Sequence, residues 1–520
     1  MDRSFAASLN CRALHRSRQA AWEAVGGFAL AFAFGCAPPT SGENAEGVQN
    51  DRPIEMLVGN DPETLDPRYA TDAVGLRATR LLHAGLVRLN ADTLEPEPCL
   101  ARSWRWRDPL TLQVDLREDI SFHSGAPFGS RDVAETLRAM ASERVASRHA
   151  GVVDAIAEVH EEGPHTVFVR LARPHATLLA DLELPILRAE QAWSPPAPDG
   201  SLDGLGPYVV AGTDRGEVRL VPSARGVPPQ SSRAVTLRTV HDENTLALRL
   251  ATGRSDVALN LVSPTLIPAL AAEPGLAVAG REGANLTYVV VQETRGALGD
   301  VRTRLGLSLA IDRSTLCESL FDRRATPAGG LIAPAHWASV RSEPLAFDPV
   351  GARALLAASG AARGHLTLLT STERLRGDVA RVVAQELADV GVQVTVVPLE
   401  LGTMIARLNG GDFDLAILVL PEMTEPNVLR HFLHSAFVPP AGANRGRVRD
   451  EVLDAMLDAG DKIADPAARR AIYSQVEARE REQMHIVPLW YADQVALTSR
   501  RARAFVPSAE GRWLSLALLK

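Results

Sequence analysis

The chain has 520 residues, 46% of them hydrophobic and 23% charged, with 39 Gly and 34 Pro. That length gives room for two to four domains with sizeable cores, and that balance excludes a disordered, collagen-like or polytopic membrane chain. A net charge of −8 argues against nucleic acid as the main partner, because phosphate recognition calls for a basic face. Lys462 and Lys520 are the only lysines among 55 basic residues, which removes most candidate Schiff-base and phosphate-loop lysines. Four cysteines exclude a disulfide-stapled scaffold.

Residues 1–35 read as a signal peptide. Arg3, Arg12, Arg16 and Arg18 make a basic start, and an apolar run follows from Ala24 to Gly35 (AVGGFALAFAFG). The run fits the roughly 7–15 residues of a signal segment and falls short of the roughly 20 that span a bilayer. It stops at Cys36 after a small residue, a pattern that resembles a bacterial lipobox, in which the thiol is acylated and the chain is cleaved before it. A plain secretory signal and a buried apolar helix are the competing readings. Residues 36–51 are rich in Pro, Gly, Ser and Asn and have no apolar period, so they read as a lipid-anchored tether. Cleavage removes four Arg, Asp2 and Glu23, which takes the net charge from −8 to −10. The longest later apolar runs, such as Leu415–Leu420 (LAILVL), have strand length, so the body is expected to be soluble and extracytoplasmic. Cys99 and Cys317 are expected to be buried thiols rather than a pair.

Along the body the pattern is α/β. Residues 115–123 (DLREDISFH) read as a strand ending at Ser124-Gly125-Ala126-Pro127, and Ser130 is placed to cap a helix with Asp132 in its first turn. His365–Thr370 reads as a strand. From Asp378, the apolar residues Val379, Val382, Val383, Leu387 and Val390 fall at helical spacing, with Gly391 suited to the C′ position. Val392, Val394 and Val396 then alternate as a strand. This strand–helix–strand unit implies a parallel pairing. A helix over 399–408, an apolar strand over 413–420 and amphipathic helices over 450–460 and 467–483 extend it.

The chemistry is notable for missing motifs. There is no Gly-Xaa-Ser-Xaa-Gly elbow, no phosphate-binding loop, no GxGxxG after a strand and no His-Glu-Xaa-Xaa-His. His431 and His434 stand three apart without a third ligand nearby, so no metal site is expected. No cofactor is expected either, and the balance shifts from catalysis to binding.

Several stretches resemble the bacterial extracellular solute-binding proteins of family 5, the dipeptide- and oligopeptide-binding receptors of ABC importers. They are Asp61-Pro62-Glu63-Thr64-Leu65-Asp66-Pro67, Gly85-Leu86-Val87, the run from Pro98 to Trp104, the run from Leu116 to Phe128 with Asp132-Val133, Gly206-Pro207-Tyr208, the run from Arg302 to Arg313, Phe347-Asp348-Pro349 to Gly360, and Gly411-Asp412-Phe413-Asp414. Order and spacing hold from about residue 53 to 500. The resemblance implies a two-lobe, periplasmic-binding-protein-like α/β fold of type II character with an inserted domain. Lobe I would comprise 52–75, 206–282 and 493–520, the inserted domain 76–205 and lobe II 283–492, with a hinge between interleaved lobes. It implies a monomeric, non-enzymatic receptor that encloses a peptide or other small solute by hinge closure and meets ABC permease subunits.

In peptide-binding members a Trp-x-x-Asp-Tyr-x-x-Pro stretch supplies a carboxylate for the ligand's α-ammonium. The matching run here ends at Pro426 and places Glu422 on the Asp position, Val419 on the Trp and Met423 on the Tyr; Thr424 and Glu425 complete it. The bland reading of Glu422 is a solvated loop acid. Tyr288, Gln292, Trp337, Trp490 and Tyr491 are further candidates for the ligand walls, against core positions as the alternative. The family's aromatic pair is missing from 223–233 and its Asn-containing motif is degraded in 291–300, which sets the peptide assignment, though not the fold, against two other readings. One is a receptor fold turned to signalling or protein–protein interaction. The other is an extracytoplasmic hydrolase.

Overall fold

The computed structural model describes residues 52–362, 364–420 and 423–520. The signal segment, the tether, Cys36 and Glu422 lie outside the described residues.

Ile54–Val58 (IEMLV) buries its apolar side chains and pairs in parallel with Val235–Thr239 and Val257–Leu259. Glu55 is the one acid in that run, and Arg238 at 2.7 Å and Arg249 at 2.5 Å take up its carboxylate. These strands belong to an eleven-stranded sheet. Its order is Gln393–Leu399, His365–Ser371, Leu415–Leu420, Leu276–Val291, Ile486–Ser499, Val257–Leu259, Ile54–Val58, Val235–Thr239, Glu217–Pro222 and Tyr208–Asp214, with Ala325–Pro327 added beside Ile486–Ser499.

Two strands of this sheet are much longer than the rest. Leu276–Val291 has 16 residues and Ile486–Ser499 has 14, and they run antiparallel along most of their length. Their register shifts between Arg281 and Asn285. At Gly283 an added Cβ would sit 2.0 Å from the Ala492 carbonyl oxygen, so the close approach requires glycine. On one side of this irregularity the pair joins the Ile54–Val58 half of the sheet, and on the other the Leu415–Leu420 half. These halves are the two lobes.

A separate antiparallel sheet carries Ala101–Asp108, Thr111–Leu116, Thr166–Leu171 and Ile156–Glu161, in that order. The helix Ser130–Ala141 packs on it around a core that includes Leu112, Val114, Phe122, Val133, Leu137 and Val169. The helix starts one residue off the expected cap: Gly129 is the cap and Ser130 the first helical residue. The Ser130 hydroxyl is drawn away to donate to the Gly163 carbonyl at 2.7 Å, while the Asp132 carboxylate accepts from the Gly129 and Ala189 N–H groups. The expected strand over 115–123 does not form: the strand is Thr111–Leu116, and beyond it Ser121 makes only an isolated bridge to Pro127.

The strand–helix–strand unit is as read from periodicity. His365–Ser371 and Gln393–Leu399 pair in parallel, with His365 opposite Gln393, across the helix Arg374–Asp389. Gly391 takes the left-handed conformation its position demands, φ +98°. The next helix begins at Leu401 rather than 399, because the Glu400 carboxylate accepts from the Gly402 and Thr403 N–H groups and caps it there. Asp450 and Asp465 likewise cap Glu451–Gly460 and Pro466–Gln483. Cys99 and Cys317 are free, buried in different cores. No helix among the described residues is long and apolar enough to cross a membrane.

Candidate functional site

Leu415–Leu420 and His365–Ser371 are parallel neighbours, and open α/β sheets take ligands beyond the carboxyl ends of such strands. Met423, Thr424 and Glu425 follow that end of Leu415–Leu420. Met423 is buried in the same core cluster as Tyr288, Trp337 and Tyr491. Glu425 points to the helix Pro466–Gln483, where Arg469 meets its carboxylate at 2.7 Å. Both are almost fully buried, at 9% and 3% exposure. Burial pushes the Glu425 carboxyl up, to about 7; Arg469 pulls it down, and the nearby Asp181 raises it.

Trp337 stands on the other side of Arg469. The guanidinium carbon lies 5.1 Å from the Trp337 ring centroid, a cation–π stack. The loop that delivers Trp337 follows Ala325–Pro327 and is pinned from below. The Glu477 carboxylate accepts from the Leu331 and Ile332 N–H groups at 2.9 Å each, and the Tyr491 hydroxyl donates to the Gly330 carbonyl at 2.7 Å. A Cβ at Gly330 would meet the Glu477 carboxylate at 2.4 Å, so a larger residue there would push that carboxylate from its place. His336 closes the group: its Nε2 lies 3.3 Å from the Thr424 carbonyl and its Nδ1 accepts from the Ala338 N–H. One nitrogen donates and the other accepts, so the ring is neutral, in keeping with burial that depresses its pKa to about 4.

The site lies on a seam. The Trp337 N–H donates to the Thr93 carbonyl at 2.9 Å, and the Ala176 N–H donates to the Asp461 carbonyl at 3.3 Å. Thr93 belongs to the turn between the strands Val87–Leu89 and Pro96–Pro98. Leu94 in that turn adopts φ +64° and is buried in the Trp337 cluster. Asp92 is salt-bridged to Arg281 on the long strand, and the Ala91 carbonyl accepts from Ala509.

Of the residues singled out from sequence, Met423, Thr424, Glu425, Trp337, Tyr288 and Tyr491 thus come together. Trp490 and Gln292 do not. Trp490 packs on Phe321 at 5.0 Å in another core, on the opposite face of the strand from Tyr491. Gln292 is fully buried, with its amide among Thr294, the Arg445 and Gly446 carbonyls and the Arg447 guanidinium. Arg469, His336 and Thr93 were not foreseen. His434 faces Asp454 and Asp458, His431 stacks on aromatic rings, and no group of three metal-ligating side chains forms among the described residues.

Residues 95–435 match the model for the bacterial extracellular solute-binding proteins, family 5. The chain belongs to that family and is a solute-binding protein of the ABC-transporter type. It is 25% identical over 510 residues to protein XP55 of Streptomyces lividans, covering 93% of this chain and 92% of that one. It is 24% identical over 471 residues to the glutathione-binding protein GsiB of Salmonella typhimurium, covering 87% and 91%. Among solved structures, NikA from Brucella suis in complex with Fe(III)-EDTA superposes with a TM-score of 0.80 at 21% identity, over 90% of this chain and all of that one. DppA from Helicobacter pylori in complex with the peptide STSA gives 0.72 at 20% identity, over 91% and 99%.

A carboxyl held above its ordinary value of 4.5 contributes stability that is complete below that value and is lost as pH rises through about 7. Arg469→Met removes the counter-charge and sharpens this loss. Urea unfolding should show it about 3 kcal/mol less stable than wild type at pH 8 and much closer at pH 5. An equal deficit at both pH values would contradict the ion-pair assignment.

Proposed function

We propose that this receptor captures a peptide or similar small solute at the seam, by closing one lobe on the other about the register shift at 281–285, and delivers it to ABC permease subunits. The observation that carries the reading is the Trp337–Arg469–Glu425 group. It sits beyond the carboxyl end of a parallel strand and contacts chain segments from across the seam. The ligands named for relatives, glutathione and the peptide STSA, favour a peptide; the metal chelate of NikA defines the competing solute class. The lobe boundaries are proposed as 52–75, 206–282 and 493–520 for lobe I, 76–205 for the inserted domain and 283–492 for lobe II, in a monomer. Glu422 is proposed to pair with the ligand's α-ammonium.

Mature protein mixed with a tripeptide library should gain about 2.7 kcal/mol of stability at ligand 100-fold above Kd, read as a thermal shift. Glu422→Gln should weaken N-terminally free peptides more than acylated ones. A shift with metal chelates and none with peptides would remove the peptide reading, and equal loss for free and acylated peptides would remove the role of Glu422.

The same reading includes an acylated Cys36 that anchors the mature chain to the membrane as a lipoprotein, supported by the apolar run and tether around it. Cys36→Ser should move the protein from the membrane to the soluble fraction. Retention in the membrane fraction would contradict the anchor.

A further inference from the structure

The strands Ile54–Val58, Val235–Thr239 and Val257–Leu259 all start at one edge of the large sheet, and Ile486–Ser499 ends there beside the start of Leu276–Val291. The two long strands run from that edge into the other lobe, so the edge is the pole of its lobe remote from the seam. Three arginines converge on it. Arg233 and Arg501 both donate to the Arg52 carbonyl, Arg233 at 3.1 Å. One buried carboxylate answers them: Asp256 meets Arg52 at 2.9 Å and Arg501 at 3.0 Å, and it also accepts from the Glu55 N–H and the Ser499 hydroxyl. The charges therefore do not cancel. Arg501 keeps a buried Nε–H with no partner among the described residues, and burial, with the positive charges of Arg52 and Arg233, lowers its pKa against the pull of Asp256.

The surface around this group adds to the excess. Arg254 and Arg500 flank it at the strand ends, and Arg503 follows in the next turn. Lys520 is brought beside Arg233 because the Ser232 hydroxyl donates to the Leu519 carbonyl. All four side chains are exposed, and no carboxylate among the described residues bridges to them. Glu55 is already taken up by Arg238 and Arg249, and Glu273 is the acid of the neighbouring turn. Leu518 and Val506, on the same C-terminal segment, are 53% and 43% exposed. The chain as a whole carries −8, so this basic excess runs against its overall balance.

Charge and chain direction together indicate what covers the pole. Arg52 opens the described residues, and residues 36–51 lead to it from the acylation site proposed above. Fully extended, that stretch reaches about 55 Å, so the pole that carries Arg52 is the first part of the body brought to the membrane surface. Anionic headgroups supply negative charge without full desolvation, and the interfacial layer accepts exposed aliphatic side chains. We propose that this pole of lobe I docks on an anionic phospholipid surface, with Arg254, Arg500, Arg503 and Lys520 against the headgroups and the other lobe pointing away from the membrane. An acyl anchor fixes one residue of the chain; docking fixes which end of the folded body meets the bilayer.

The test is co-sedimentation of the mature chain carrying Cys36→Ser, which has no acyl chain of its own, with vesicles of phosphatidylcholine and phosphatidylglycerol in a two-to-one ratio. The protein should bind these at about 0.05 M salt, be released at about 0.5 M, and leave phosphatidylcholine vesicles unbound. Arg500→Gln and Arg503→Gln should each weaken binding about fivefold, the effect of one basic side chain near a charged surface. Arg381→Gln, the same change on the exposed face of Arg374–Asp389 in the other lobe, should leave binding unchanged. All three variants should melt as wild type does, since exposed surface changes cost little. Equal binding to phosphatidylcholine alone, equal weakening by Arg381→Gln, or binding unmoved by both Arg500→Gln and Arg503→Gln overturns the docking pole. Failure to bind the mixed vesicles also overturns it, while the anchor stands or falls separately on where the acylatable chain fractionates.

Discussion

The architecture depends on one pair of antiparallel strands, Leu276–Val291 and Ile486–Ser499, which carry the sheet from one lobe into the other. A regular ladder of that length would make the molecule a single stiff plate. The register shift at 281–285 interrupts it, and Gly283 lets the two chains approach where a side chain would collide with the Ala492 carbonyl. The strands are therefore continuous in chain but irregular in pairing at two places, the wide gap between Arg281 and Asn285 and a smaller shift between Thr287 and Tyr288. The cores on either side of this interval are separate.

The seam follows from that arrangement. Trp337 and Glu425 lie on the lobe beyond the irregularity, while Arg281, Asp92 and Ala509 hold the turn that reaches them from the near side. The seam thus joins groups that have no sequence proximity. The helix Pro466–Gln483 is the common support. Arg469 meets Glu425 and Trp337, Glu477 pins the loop before Trp337, and Glu480 sits fully enclosed beneath the start of Ile486–Ser499, its carboxyl pushed up to about 7 by burial. Charged groups inside a lobe are costly unless paired, so their retention in one helix face points to positioning rather than to stability.

Much of the lobe beyond the hinge was legible from sequence because its signals are local. The spacing from Val379 to Val390, the glycine at 391 and the alternating valines after it need no information from elsewhere in the chain. Helix starts were less legible. Ser130 is as good a cap as Gly129 until the Gly163 carbonyl captures its hydroxyl. The site was legible in part. Met423, Trp337 and Tyr491 were candidates, but Trp490 was grouped with Tyr491 although successive residues on a strand face opposite ways. Arg469 was missed because its partner is 44 residues away and its helix reads as a charged surface. A signal was present: Arg469, Tyr473, Val476, Glu477 and Glu480 recur at helical spacing, which puts three charges on the buried stripe with a tyrosine and a valine.

Hydrogen exchange of the mature protein with and without saturating tripeptide reports whether solute closes the seam. The Trp337 and Ala176 amides donate across the seam to Thr93 and Asp461, so their exchange reports its closure. Peptide should slow exchange in the segments carrying these two amides, while strands such as Ile54–Val58 stay unchanged. Equal exchange at both amides with and without a peptide that demonstrably binds would contradict it.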